Sequence, residues 1–574
     1  MVMSIYTNGY IRNAPDVGWW LSQVRGGIAF RKKYAHQEDW NRWRSYYRGK
    51  FPKGVLPVNL FFKMIRSTVP KIYFRDPSVS VYATKPTPEQ AALAQLVERI
   101  DNKLIRTMNM KKEIKRMIQQ TWMFGTSAGK LGFGGEFTPT PDVWETEAPE
   151  HITRSFKRRV EYSAGVTPNM PWFKAVHPGY LILPDGLDDF DNTPWVAMWI
   201  KRPIDDVRSD PRLKHTADLK PRTGPVPTTS VGGGFNPGSR PDEVDLIEIR
   251  DRRTGKCAII SPNASGKVLY YEDDALQNNN RTNIYPLIFN PDDEIFWGVP
   301  DSVILDPQQH EINEIRTLQM KHRRLSILKL LYKVNSIEPA EVEKLLNGDV
   351  GAGVKIIGDL SDIERFQTGD IPQALFMADQ TIQGDVRDML GFSRNQSGEY
   401  SGQKSHSAPT AAEATIVQQA SEIRIDERRD SVADLIVQVF EDTNPLIFEK
   451  WQDEQVVQVI GASGLPVWVA FKPAMLKAAR YEMNIDPDST LPETKEMRQG
   501  KAVQVYGLLK TNPLIDPQLL TKYLLRELHG VEYDNLMKAM QQAVAQGAPG
   551  SNPEQPMDGR QYMESMTRGA GDGA

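Results

Sequence analysis

The sequence predicts a mixed α+β protein made of several subregions. Three observations carry that expectation. Apolar residues recur at three- and four-residue spacing in long stretches, as in Leu93, Leu96, Val97, Ile100 and Leu104, which is the period of a helix with one buried face. Shorter runs, Trp195-Val-Ala-Met-Trp-Ile-Lys201 and Val244-Asp-Leu-Ile-Glu-Ile-Arg250, alternate or run apolar as strands do. A chain of 574 residues is also too long for one small core. Its 40% hydrophobic and 25% charged content lies in the ordinary globular range.

Met1 to Tyr10 is polar and lacks an apolar h-region, so no signal peptide is expected. No run approaches eighteen apolar residues, which argues against a membrane span. Cys257 is the single cysteine, so an internal disulfide and a cysteine metal cage are excluded, and a reducing compartment fits. These features predict a soluble protein that is intracellular when made.

Residues 14–50 interleave Trp19, Trp20, Trp40, Trp43, Tyr46 and Tyr47 with basic residues. Such aromatics can stack on nucleic-acid bases, but the expected role is docking a peripheral helix onto a core or a neighbouring subunit. A buried helix is expected over 58–69, closed by Pro70, then a strand at 78–82 and helices over 88–108 and 110–124. Gly125-Thr-Ser-Ala-Gly-Lys130 resembles a phosphate loop only superficially. It has three residues between its glycines rather than four, Leu131 follows the lysine, and a helix precedes it. A tight helix-to-strand turn is the better reading. Residues 137–272 read as β-rich, with Arg253-Thr-Gly255 as a hairpin turn before Cys257-Ala-Ile-Ile260. Asp185, Asp188, Asp189 and Asp191 lack the spacing and closing glutamate of a calcium loop, so a solvated acidic loop is expected. Thr216 to Asp242 reads as a flexible insertion.

The stretch from Asp301 to Glu449 organises the rest. A helix is expected over 308–329, with a stripe of Ile312, Ile315, Leu318, Leu325 and Leu328. A small insert runs to Gly369. A second helix opens at Asp370-Ile-Pro-Gln373, carries Leu375, Ile382, Val386 and Met389, and stops at Gly391. Ser393 to Ser407 has no periodicity and reads as a long loop of the functional or disordered kind. A very long helix restarts at Thr410, with Glu413 at the capping-box position. Beyond it, 456–470 and 481–485 are strand-like, 492–545 helical, and the tail polar and glycine-rich.

The ordered parts are Phe-Trp-Gly-Val-Pro-Asp (296–301), helix, Pro-Ala-Glu-Val-Glu insert, Gly-Val-Lys-Ile-Ile strand, Asp-Ile-Pro-Gln helix, Gly-Phe-Ser-Arg-Asn-Gln-Ser-Gly-Glu loop and Thr-Ala-Ala-Glu-Ala-Thr (410–415) helix. This order resembles the portal, or head-tail connector, proteins of tailed double-stranded DNA bacteriophages. The resemblance covers roughly 54–490 and is strongest from Phe296 to Asp442; the order and spacing carry it, not any single motif. It implies a portal-type fold: wing (1–300 and 445–490), stem helices (301–330 and 370–391), small α/β clip (331–369), tunnel loop (392–409), long channel helix (410–444), helical crown (491–545) and flexible tail (546–574). It further implies a dodecameric ring at one capsid vertex of the virion, made in the host bacterial cytoplasm. Through that ring double-stranded DNA is packaged and ejected. The implied partners are the terminase large subunit, head-tail adaptor and tail proteins, and major capsid and scaffold proteins, with no membrane and no cofactor. A portal has no ATPase of its own, since the terminase supplies the power.

The same resemblance implies roles for individual residues. Arg394, Lys404 and His406, with Gly398 and Gly402 permitting movement, would form the tunnel loop facing DNA. Glu422, Asp426, Glu427 and Asp430 would line the channel, an acidic wall past which a duplex slides because its phosphates are repelled. Arg316, Lys321, Arg323 and Arg324 on the first stem helix would touch DNA or pair with acidic neighbours. Pro339, Glu341, Glu343, Lys344 and Lys355 would belong to the docking face of the clip, where 353–358 would be a strand suited to pairing between subunits.

Charge is unevenly distributed. Residues 1–133 hold 23 Lys and Arg against 8 Asp and Glu, a balance of +15, so the remainder carries −18 of the total of −3. This fits either an acidic partner for the basic part or solvated helix faces. Residues 413–442 carry eight acids against three arginines, and their apolar stripe (Ile416, Ala420, Ile423, then Val432, Leu435, Ile436, Val439) breaks at 426–430. A helix held by intrahelical pairs such as Asp426–Arg429 is one reading; a channel or subunit-facing helix is the other. No His-Glu-x-x-His or nucleophile elbow is present. Two rival functions stay open at this level: a cytosolic α+β enzyme with a mobile lid at 393–407, and a ring-forming structural protein that never touches DNA.

Overall fold

The structure is a computed structural model of the chain. It describes residues 16–85, 87–134, 170–221, 243–264, 266–276, 281–325, 329–332, 337–347, 355–357, 359, 363–366, 373–390, 411–451, 454–460, 466–485, 495–510, 524 and 557–564. The first part of the chain gives α1 (Val17–Tyr34), α2 (Trp40–Tyr47), α3 (Leu60–Ile72), β1 (Val79–Ala83), α4 (Pro88–Thr107), α5 (Met110–Phe124), β2 (Thr126–Phe133) and β3 (Pro171–Val176). Next come β4 (Leu181–Ile182), β5 (Trp195–Pro203), α6 (Ile204–Ser209), β6 (Glu243–Asp251), β7 (Lys256–Ile260), β8 (Tyr270–Asp273) and β9 (Ile284–Ile288). The central stretch forms α7 (Asp301–Leu325), β10 (Lys329–Tyr332), α8 (Pro339–Asn347), β11 (Ile363–Phe366), α9 (Gln373–Leu390) and α10 (Ala411–Lys450). The last elements are β12 (Gln455–Ile460), β13 (Pro466–Phe471), β14 (Tyr481–Ile485), α11 (Lys495–Leu509) and β15 (Met557–Asp558). Of the described residues 53% are helical and 20% lie in strands, in several small antiparallel sheets. Only β13–β15 pairs parallel among them. The class is α+β.

The chain divides into two compact units. The first comprises Met1–Arg42, Ile65–Asp301 and Glu422–Ala574, and the second Trp43–Met64 and Ser302–Ser421.

In the first unit a five-stranded sheet runs β4-β5-β6-β7-β8 and a three-stranded sheet runs β3-β2-β9. The β6–β7 hairpin turns where the sequence predicts, with Asp251 opposite Lys256 and Gly255 at φ 66°. The tryptophan-rich start of the chain docks, as expected of its aromatics. Trp20 and Val24 of α1 join Trp195, Ala197, Ile247 and Ile249 in one buried cluster, and Trp20 meets Trp195 edge to face. Trp40 packs against Phe124 and His177. Burial of these rings contributes roughly 25 cal/mol per Å² of apolar area removed from water.

The turn after α5 is a glycine cap rather than a phosphate loop. Gly125 at φ 80° ends the helix, and Thr126 to Phe133 continues as a fully buried strand. A Cβ at Gly125 would collide with the Gly298 carbonyl, and the Gly298 amide donates to the Thr126 hydroxyl at 3.1 Å. The Phe296–Asp301 motif is therefore a close backbone approach that only glycine permits at both positions. Lys130 is buried against Glu248 at 2.6 Å; Glu248 also pairs with Arg250, and Arg250 with Asp274, so one ionic chain joins the two sheets. Burial raises the Cys257 thiol to about 12, which leaves it an inert core group.

The second unit is a helical pair around a small insert. α7 and α9 are bridged by Arg316–Asp379 at 2.7 Å, and between them β10 pairs antiparallel with β11 from Lys329↔Phe366 to Tyr332↔Ile363. Ile312, Ile315, Ile382 and Val386 are buried.

Several expectations need correction. α7 starts at Asp301, earlier than its periodicity suggests, runs through Pro307 and ends at Leu325, and Lys329, expected at the end of the helix, opens β10 instead. Leu318 is 44% exposed, because Gln309, Asn313 and Thr317 occupy the packed face instead. α3 passes through Pro70 to Ile72, since the Tyr73 amide still reaches the Val69 carbonyl at 3.0 Å. Residues 355–357 are not a strand: the Lys355 amide donates to the Glu341 carboxylate, and the strands among the described residues of the insert are β10 and β11. The start of the expected insertion at 216–242 is packed through Leu219, 2% exposed, while 222–242 lie outside the described residues.

Candidate functional site

The features expected to matter are two helices of the second unit and one of the first. In the second unit, α7 holds an extended segment through polar residues spaced by four. Gln309 accepts from the Leu60 amide (2.9 Å) and donates to the Val58 carbonyl (2.7 Å). Asn313 accepts from the Val58 amide and Thr317 from the Leu56 amide, both at 3.0 Å. At about 100° per residue these three side chains form a single stripe along the helix. Each satisfies backbone groups that no sheet partner serves.

The predicted basic residues of α7 divide. Arg316 is bonded to Asp379 of α9, while Lys321, Arg323 and Arg324 are exposed towards the helix end. In the insert Pro339, Glu343 and Lys355 are exposed. Glu341, by contrast, is 9% exposed, and its carboxylate accepts from the Lys355 amide. The Lys344 side chain lies outside the described residues.

In the first unit, residues 422–450 of α10 show why the apolar stripe breaks. Arg429 fills the gap: it is buried, donates to the Lys71 carbonyl at 2.9 Å and pairs with Asp426. Ile425, Val432, Leu435, Ile436, Val439 and Phe440 are buried with it. On the far side Glu427, Asp430, Asp434, Gln438 and Glu441 recur every three or four residues, Glu449 follows eight residues on, and all are exposed. Predicted acids Asp426, Glu427 and Asp430 thus start a longer acidic stripe, which sequence reasoning truncated at the break. The repeat to Glu441 and Glu449 was the signal that would have extended it. Partial burial and the neighbouring Asp430 raise the Asp434 carboxyl above its ordinary value.

Three consecutive polar residues then fix the helix before Pro445. Asp442 accepts from the Tyr285 hydroxyl at 2.8 Å, Thr443 bonds back to the Val439 carbonyl at 2.6 Å, and Asn444 donates to Asp101 at 3.2 Å. Arg281 pairs with Glu441 at 2.7 Å beside them. Burial raises the Asp442 carboxyl, against the opposing pull of Tyr285 and Arg281. It raises Asp101 to about 8, with the Asn444 bond opposing and the Glu98 charge adding. A proline removes one helix hydrogen bond, and a hydroxyl bonded four residues back favours bending, so this is where the helix would otherwise yield.

Arg394, Gly398, Gly402, Lys404, His406 and the Glu422 side chain lie outside the described residues. Among the described residues no three His, Cys, Asp or Glu side chains are disposed to hold a metal ion, the aspartates at 185–191 included. No described helix is long and apolar enough to cross a membrane. No protein-family model matches the chain, and no curated protein matches it.

Proposed function

We propose that this chain is the portal protein of a tailed double-stranded DNA bacteriophage, a ring subunit that conducts genomic DNA into and out of the capsid. The observation that carries the reading is the sequence of parts from 296 to 450: a helical pair bridged by Arg316–Asp379, a two-stranded α/β insert between its arms, a long intervening segment, and a 40-residue helix. In this reading α7 and α9 are the stem, β10-α8-β11 the clip that meets terminase and then the adaptor, and residues 392–409 the tunnel loop. The acidic stripe of α10 faces the channel or the adjoining subunit. Carboxylates there repel phosphates and leave the duplex free to slide, whereas each lysine contact would release counterions and add grip. The chain supplies a conduit and no chemical step; the motor's ATPase is a separate protein.

The test is native mass with negative-stain imaging. Twelve chains of 64.9 kDa give about 780 kDa in a closed cyclic ring. Rings with a central hole are expected, and shortening 393–407 should stop DNA packaging without stopping ring formation. A monomer or dimer unchanged by concentration, salt or scaffold protein would overturn the reading.

A further inference from the structure

Two surfaces of the first unit, unused so far, carry opposite charge around aromatic centres. The first is a knob. Phe74, 45% exposed, stands between Lys111 and Lys115 of α5, whose ammonium nitrogens lie 5.9 and 5.7 Å from its ring centroid. Lys115 also donates to the Phe74 carbonyl at 3.2 Å. Partial burial and the positive charges of Lys111 and Arg66 lower the Lys115 pKa, with Asp76 opposing. Lys112 and Arg116 are exposed on the same helix. The knob is an aromatic ring in a crowded field of cations.

The second surface is a cleft of about 520 Å³, within the roughly 300–1,000 Å³ usual for sites that enclose a ligand. Phe190 and Phe296, 5.7 Å apart, give it an aromatic wall, and Asp188, Asp191, Asp292 and Asp293 stand around it. Its two cations are already engaged, Arg252 with the Asp191 and Thr193 carbonyls and Arg281 with Glu441. Thr282 in its wall is 4% exposed, and its hydroxyl has no hydrogen-bond partner. The cleft therefore offers an apolar seat, an acidic rim and a spare polar group.

We infer that the Phe74 knob of one copy seats in the Phe190–Phe296 cleft of a second copy, with Lys111 and Lys115 meeting the aspartate rim. The two surfaces share no residue, so the contact is head to tail, the kind that generates a ring when its rotation closes. The inference rests on the ring reading and adds the contact between neighbours. An aromatic anchor flanked by cations that pair with an acidic rim is the pattern of an energetic centre in an interface.

Reciprocal charge reversal in the full chain tests it. K111E/K115E and D191K/D293K are each expected to lose the native mass of the wild-type assembly, with thermal unfolding confirming that each remains folded. A 1:1 mixture is expected to regain it, because each reversed surface then meets its complement on the other variant. Phe74→Asp, which keeps both lysines, should also lose it. If both reversals keep wild-type rings, this contact is overturned and the ring reading stands. If the wild type itself never assembles, both fall. If K111E/K115E keeps its rings but loses binding to a labelled DNA duplex, the knob is a nucleic-acid surface and the inference is overturned.

Discussion

At Asp101 burial and ionisation conflict. It is fully buried, one carboxyl oxygen meets Asn444, and the other has no partner. Burial raises its pKa from an ordinary 3.8 to about 8. Between those values the native state keeps a proton that the unfolded chain has released, so this residue's contribution to stability falls as pH rises across the window and levels off above it. Asp101→Asn removes that proton exchange. Relative to wild type it should gain a few kcal/mol between pH 4 and pH 8, read from urea unfolding at several pH values. A constant difference across that range would show Asp101 ionising at its ordinary value.

At the scale of elements, α7 and α10 are organised by polar residues where an apolar stripe was expected. Gln309→Leu should destabilise the chain by about 1–3 kcal/mol, since the buried Leu60 amide and the half-buried Val58 carbonyl would lose their partner. Denaturant unfolding measures this, and an unchanged midpoint would mean that the extended segment contributes nothing. On α10, Asp430→Lys with Asp434→Lys should raise duplex affinity and steepen its dependence on salt, by about 0.9 in log K per log salt for each phosphate contacted. Filter binding over a salt series gives that slope, and no change in it would place the stripe away from DNA. Much of this architecture was legible from spacing. The ends of α4 and α5, the β6–β7 turn and the strand at 481–485 follow from apolar period, glycine and the residues beside them. The Gln309–Asn313–Thr317 stripe was not legible, because polar residues at helical spacing ordinarily mean a solvated face. Nor was Arg429, a charge that acts as packing because the Lys71 carbonyl happens to face it. The cleft was illegible for a third reason: its walls come from 188–191, 252, 281–296 and 438, which only the fold brings together.

For the whole molecule, the basic first quarter and the acidic remainder need not imply a foreign polyanion. Joined head to tail, copies would neutralise one another's surfaces. Such an assembly should weaken as salt rises, since the Debye length shortens from about 10 Å at 0.1 M to about 3 Å at 1 M. The fold also has a schedule. β1 pairs with β14, from Val79↔Ile485 to Ala83↔Tyr481, so its partner is made nearly 400 residues later. At about 5–20 residues per second, the ribosome leaves that strand waiting roughly 20–80 s. α4, made directly after it, covers one edge at once: Asn102 and Glu98 accept the Val79 and Val81 amides. The other edge stays open until the last fifth of the chain emerges. During that interval it can recruit the same strand from a neighbouring nascent chain, so slow translation and crowded polysomes should be where this protein aggregates first.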